Sequence, residues 1–138
     1  VVTNQRGVGS GVMTQQDLDD VHAYMSAGLK DYGVTFAGIY YATDKDRNSV
    51  HRKPRPYMGH QAKQDIPEID FRKSVMVGNS RGDIEFGKSL GMVTVFIDDK
   101  GRLEGERSAY GSDFLFASLK AFAEGFPPSS SGIFIVEK

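Results

Sequence analysis

Apolar and polar positions alternate in blocks along the chain, and the blocks change period. Val1-Val2-Thr3 reads as the end of a strand. Residues 14–33 place Leu18, Val21, Met25 and Leu29 on one stripe, which predicts a helix with Thr14 as cap and Gly33 as stop. Residues 36–42, "FAGIYYA", are aromatic and branched and predict a strand. A polar loop follows over 43–56, and then a short helix, "YMGHQAKQ", behind Pro56. "SVMVG" (74–78) is apolar on both faces, as in a strand inside a parallel sheet. A helix over 83–91 ending at Gly91 and a strand over 93–97 come next. "DDKGR" (98–102) reads as a turn. Residues 112–126 read as a helix capped by Ser112, 127–131 as a flexible break, and 132–138 as one last strand.

Strands alternating with helices imply right-handed crossovers and a parallel α/β sheet with ligands at the carboxyl ends of its strands. Three polar clusters fall at such ends. "TNQRGVGSG" (3–11) offers a hydroxyl, two amides, a guanidinium and glycines that let the backbone approach a ligand. That set suits a phosphate, although a plain connector has the same composition. A dinucleotide fingerprint is disfavoured, because the spacing is G-x-G-x-G and Tyr40-Tyr41 stand where an acid would be needed. "HRKPRP" (51–56) sets Arg52 beside Lys53 on a stiff backbone, a planar fork next to a compact charge. "GNSRGD" (78–83) spaces Asn79 and Asp83 as a candidate Mg2+ pair, or as an ordinary helix start with an acid in its first turn.

Composition narrows the function classes. The chain has 138 residues, 39% hydrophobic and 25% charged, which fits one globular unit. A net charge of −1 gives no reason to expect nucleic acid. No apolar run has membrane-spanning length and no signal peptide leads the chain, so a cytoplasmic protein without a membrane partner is expected. Cysteine is absent and His22, His51 and His60 do not cluster, so no zinc is expected. The sequence is silent on oligomeric state.

Taken together, "VVTNQRGVGSG", "IYY", "RKPRPYM" and "VMVGNSRGDIEFGKSLGM" resemble the haloacid-dehalogenase (HAD) superfamily of phosphohydrolases over roughly residues 1–126. Within it they resemble the branch of D-glycero-D-manno-heptose 1,7-bisphosphate and histidinol-phosphate phosphatases. The resemblance implies a three-layer Rossmann-like parallel sheet and a Mg2+-dependent phosphomonoester hydrolase of a small phosphorylated metabolite, most simply the heptose bisphosphate. It implies that Thr3 bonds the transferring phosphoryl group and that Lys53 neutralises it. Asn4, Gln5, Arg6 and Arg52 would bind substrate. Asn79 would stand in the place of a metal-binding Asp, with Asp83 as the second acid of that motif.

Three departures accompany the resemblance. The D-x-D-G-T-like motif, whose first Asp forms an aspartyl-phosphate and whose second is general acid and base, is not present. The loop before Arg52 lacks the Cys/His zinc cluster of many relatives. Asn79 brings no charge. Since Val1 also reads as mid-strand, the expectation is an N-terminally truncated core (1–126) that lacks the usual first central strand, with its nucleophile before Val1. Such a segment would bind Mg2+ weakly or not at all, and alone would be inactive. The missing strand would lie between the strand ending at Thr3 and strand 74–78. The extension 127–138 is a candidate extra strand, with 133–137 pairing in that gap or at an edge. The alternative is a non-catalytic phosphate-binding module. A polynucleotide 3′-phosphate is a remoter substrate.

Overall fold

A computed structural model describes residues 1–101 and 109–125, and the backbone of 133–136. In chain order the elements are β1 (Val2–Asn4), α1 (Arg6–Gly9), α2 (Gln15–Lys30), β2 (Tyr40–Ala42), α3 (Tyr57–Asp65), β3 (Ser74–Gly78), α4 (Arg81–Ser89), β4 (Val93–Ile97), β5 (Phe114–Phe116), α5 (Leu119–Gly125) and β6 (Ile133–Val136). This is an α/β fold. The strands form a two-stranded piece, β1-β2, and a four-stranded piece ordered β5-β4-β3-β6. Every ladder among the described residues is parallel.

The interior strands follow from their sequence. All five residues of β3 are buried, as expected where side chains on both faces meet packed layers. Its Met76 packs with Val2 and Ala42 of the small piece and with Met58, Phe86 and Met92. Val75 and Val77 pack on the other face with Val95, Ile97 and Phe122. Residues 133–136 pair along β3 from Ser74↔Ile133 to Val77↔Val136. Glu137, the fifth residue of the expected pairing, lies outside the described residues, as does the break 127–131.

The helices are fixed by their ends. Thr14 and Asp17 form a reciprocal capping box at the start of α2. Ser80 and Asp83 form another at α4, so that helix begins two residues before the expected 83. Gly33 and Gly91 stand at φ +75° and +73° just past the two helices, where a side chain is disfavoured. The apolar stripe of α2 is only partly covered. Leu18 is buried but Val21 is 47% exposed, because a two-stranded piece is too narrow to cover four turns.

Two expectations are corrected. The strand expected over 36–42 is confined to Tyr40–Ala42, since the register with β1 starts at Val2↔Tyr40 and, before it, the Gly38 carbonyl accepts one bond from the Val1 amine at 2.8 Å without extending the ladder. The helix expected over 112–126 divides. Phe114–Phe116 pairs with Val95–Ile97 as β5, while α5 starts at Leu119. Asp113 holds that strand in place by accepting from the backbone N–H and hydroxyl of Thr94 at 2.7 and 2.8 Å. The N-terminal turn of α5 is held by Ser118, whose Oγ accepts from the Ala121 N–H, and Ser112 takes no part in it.

Candidate active site

The carboxyl end of β1 meets the loop before α3 and the start of α4. Lys53 lies at the centre. Its side chain and that of Asp83 are each 1% exposed, with Nζ 2.7 Å from Asp83 Oδ1. The same ammonium donates to the Val2 carbonyl at 3.0 Å. Taking two charges out of water is costly unless each is compensated, and here the ammonium has a carboxylate and a carbonyl. The second oxygen of Asp83 accepts from the Ser80 N–H at 2.9 Å and the Ser80 hydroxyl at 2.7 Å. Thus one carboxylate both caps α4 and holds Lys53. Gly78 makes room for it, because a Cβ there would lie 2.4 Å from the Asp83 Cβ.

Asn4 fixes the lysine backbone from the opposite side. Its Oδ1 accepts from the Lys53 N–H at 3.1 Å and its Nδ2 donates to the Lys53 carbonyl at 3.2 Å. Thr3, buried on the neighbouring position of β1, accepts from Gln5 Nε2 at 3.0 Å. That bond leaves the hydroxyl proton of Thr3 to be donated elsewhere. Thr3 and Gln5 also line a cavity of about 210 Å³ closed by Val1 and by Val21, His22 and Met25 of α2.

The arginines reach outward. Arg52 is half-buried and donates through Nη1 to the Asp44 carbonyl at 3.0 Å. Arg6 is exposed, with Nε 3.3 Å from the Lys45 carbonyl. Gly9 lies so close to the loop after β2 that a Cβ would come within 2.0 Å of the Thr43 carbonyl oxygen. The 5–13 and 43–56 loops are therefore packed together as one rim.

The structure brings together Thr3, Asn4, Gln5, Lys53 and Asp83 through direct bonds or adjacency on β1. Arg6 and Arg52 are tied to the rim. Asn79 is exposed beyond β3. The roles of Asn4 as a backbone clamp and of Val2 as a carbonyl partner of Lys53 were not apparent from the sequence. Asp44 was missed too, and its carboxyl lies below the usual carboxylate range, chiefly because it bonds the His51 imidazole and then the Ser49 hydroxyl.

The donor set does not make a complete Mg2+ shell. Mg2+ takes oxygen ligands in octahedral geometry, usually with one or two carboxylates. Asn79 offers one neutral oxygen, and both oxygens of Asp83 are engaged by Lys53 and Ser80. No group of three or more His, Asp or Glu side chains able to hold a metal occurs among the described residues.

Comparisons with known proteins give a family and a fold. The HAD-hydrolase-like family model matches residues 50–122. D-glycero-D-manno-heptose-1,7-bisphosphate 7-phosphatase from Chlorobaculum tepidum is 32% identical over 109 residues, covering 70% of this chain and 55% of that protein. D-glycero-beta-D-manno-heptose-1,7-bisphosphate 7-phosphatase from Haemophilus ducreyi is 32% identical over 120 residues, covering 79% and 65%. The chain thus spans between half and two thirds of the length of these relatives. The crystal structure of D,D-heptose 1.7-bisphosphate phosphatase from B. bronchiseptica, complexed with magnesium and phosphate, superposes with a TM-score of 0.77 at 23% identity. That match covers 89% of this chain and 70% of that one, and it is a likeness of fold.

Proposed function

The chain belongs to the HAD-hydrolase-like family, and from that membership we propose that it is the phosphoryl-binding core of a phosphomonoester hydrolase acting on a small phosphorylated metabolite. The observation that carries the proposal is the buried Lys53 ammonium, held by Asp83 and by the carbonyl of Val2, the residue before the buried Thr3. A desolvated, fixed cation next to a hydroxyl donor suits a transferring phosphoryl group, whose negative charge it offsets without reorganisation.

In this reading Thr3 donates its hydroxyl proton to a phosphoryl oxygen and Lys53 supplies the charge. Asn4 keeps the Lys53 backbone in place, Gln5 orients Thr3, and Arg6 and Arg52 meet the remainder of the substrate. The attacking group is a carboxylate from outside the described residues, since Asp83 is committed to Lys53 and Ser80. As it forms an aspartyl-phosphate the P–O bond to the substrate alcohol breaks and the alcohol leaves with a proton; water then hydrolyses the aspartyl-phosphate, releasing inorganic phosphate and the free carboxylate. Family membership supports Mg2+ as cofactor of the whole protein, where it would polarise the phosphoryl oxygens. Asn79 is the candidate ligand this chain offers, and Asp83 supports its loop through Ser80. Zinc has no part in the proposal.

The relatives' names support D-glycero-D-manno-heptose 1,7-bisphosphate as substrate, and the cytoplasm is the location this reading assigns. The test is phosphate release by the full-length protein from the heptose bisphosphate and from histidinol phosphate, with and without Mg2+. Turnover of the first, nearly abolished by Lys53→Ala, is expected. Absence of Mg2+-dependent release from every sugar phosphate tried refutes it. Calorimetric binding of those esters without turnover would favour a non-catalytic phosphate-binding module, a reading suited to a site whose one buried acid is already paired.

A further inference from the structure

The loop over 43–56 is held by side chains of its own. His51 Nδ1 lies 3.2 Å from Asp44 Oδ1 and 3.4 Å from Ser49 Oγ. The Ser49 hydroxyl also accepts from the His51 N–H at 3.2 Å. The imidazole stacks edge-on against Tyr57 at the start of α3, with ring centroids 4.5 Å apart. Serine, histidine and aspartate together invite comparison with a nucleophilic triad. The geometry excludes it, because a relay uses both ring nitrogens and here both partners meet Nδ1. A carboxylate on Nδ1 places a proton there.

Asp44 is used twice. Its carboxylate takes the imidazole while its own carbonyl takes the Arg52 guanidinium at 3.0 Å. The Arg52 N–H in turn donates to the Ser49 carbonyl at 3.3 Å. What fixes Asp44 therefore fixes Arg52, and Arg52 is the residue immediately before Lys53. The far side of the loop is braced by Arg6 on Lys45 and by Gly9 against Thr43. Arginine has long, flexible reach, and its planar fork recognises an anion or a hydroxyl pair only when its orientation is set.

We propose that Asp44 and His51 are positioning residues that aim the Arg52 guanidinium at the part of a phosphorylated sugar distal to the phosphoryl group on Lys53. The proposal rests on the phosphomonoester reading. It assigns discrimination between a bisphosphate and bare phosphate to a hydrogen-bonded couple on a loop.

The test uses the full-length protein, with Mg2+ withheld so that neither probe is turned over, and two probes, inorganic phosphate and a hexose bisphosphate, by calorimetry. His51→Ala is expected to weaken the bisphosphate about fivefold and to leave phosphate within about twofold, the effect of one lost hydrogen bond. His51→Asn keeps a donor where Nδ1 stood and loses the ring, so it is expected to restore most of the affinity. NMR gives a second readout free of ligand: resolved guanidinium protons of Arg52 in the wild type and His51→Asn, and their loss in His51→Ala and Asp44→Ala. Equal weakening of both probes, or His51→Asn behaving as His51→Ala, overturns the proposal. If the wild type binds neither probe, the phosphomonoester reading has failed, and the guanidinium signals alone decide whether Asp44 and His51 order Arg52.

Discussion

Lys53→Met removes the ammonium and leaves the Asp83 carboxylate buried. Both side chains are 1% exposed and 2.7 Å apart, so little water reaches the orphaned charge. Breaking such a pair from one side costs about 3–5 kcal/mol. The carboxylate keeps its two bonds from Ser80 at 2.9 and 2.7 Å, which places the expected loss near the lower end, about 3 kcal/mol. Asp83→Asn strands the ammonium instead and should cost a similar amount, with the Val2 carbonyl still accepting at 3.0 Å. The double variant Lys53→Met/Asp83→Asn buries no charge. It leaves an amide NH2, with two N–H donors, to satisfy, at about 1–3 kcal/mol for the group. It is therefore expected to match or exceed the stability of Lys53→Met, although it carries one more substitution. Urea unfolding followed by circular dichroism measures all four proteins, with a constant m-value as the check that the comparison is valid. Additive losses, with the double variant least stable of the four, would refute the claim that the two groups hold each other.

Further outcomes follow from other contacts. Gly87→Ala places a Cβ 2.7 Å from both Met76 Cβ and Thr94 Cγ2, and should lower stability by about 1–3 kcal/mol through overpacking, read from thermal unfolding. Gly9→Ala meets the Thr43 carbonyl oxygen and should detach the two halves of the rim, seen as faster amide exchange over residues 43–52. The Asp17 carboxyl is held below the usual range, first by the Thr14 backbone N–H and then by its hydroxyl. A carboxyl lowered in the folded state stabilises above its unfolded pKa and ceases to do so as pH falls through the lower folded value. The first turn of α2 should thus fray on acidification below the ordinary Asp range, and Asp17→Asn should blunt that response.

The legible parts of the fold were those with strong local pattern. β3 and β4 announce themselves by branched apolar runs, and α2 by its stripe and its Thr14 cap. Phe114-Leu115-Phe116 carries no period at all, so three apolar residues before a helix read as its first turn. The ladder with Val95–Ile97 and Asp113 bonding Thr94, nineteen residues away, settle them as a strand. The α4 start was readable in Ser80-Arg81-Gly82-Asp83, which has capping-box spacing, but attention to Asp83 as a metal candidate hid its role as a cap. Within the site, Thr3 and Lys53 follow from residue type and order. The Asn4 clamp on Lys53 spans 49 residues, and no periodicity records a side chain bonding a distant peptide group. Asp44 and His51 are joined across seven residues of an irregular loop, a spacing that matches no periodic or metal-binding pattern.

The lateral pairing of β3 with β6 bears on how the chain is made. On a ribosome β3 emerges soon before β4, which can cover one of its edges at once. Residues 133–136, which pair with the other edge, come only after most of the remaining chain. At about 5–20 residues per second this leaves a strand edge that is apolar but for Ser74 waiting for seconds. An exposed edge of that kind is a template for foreign strands. A nascent chain stalled before Ile133 should therefore be held by chaperones or aggregate, and release should coincide with synthesis of residues 133–136.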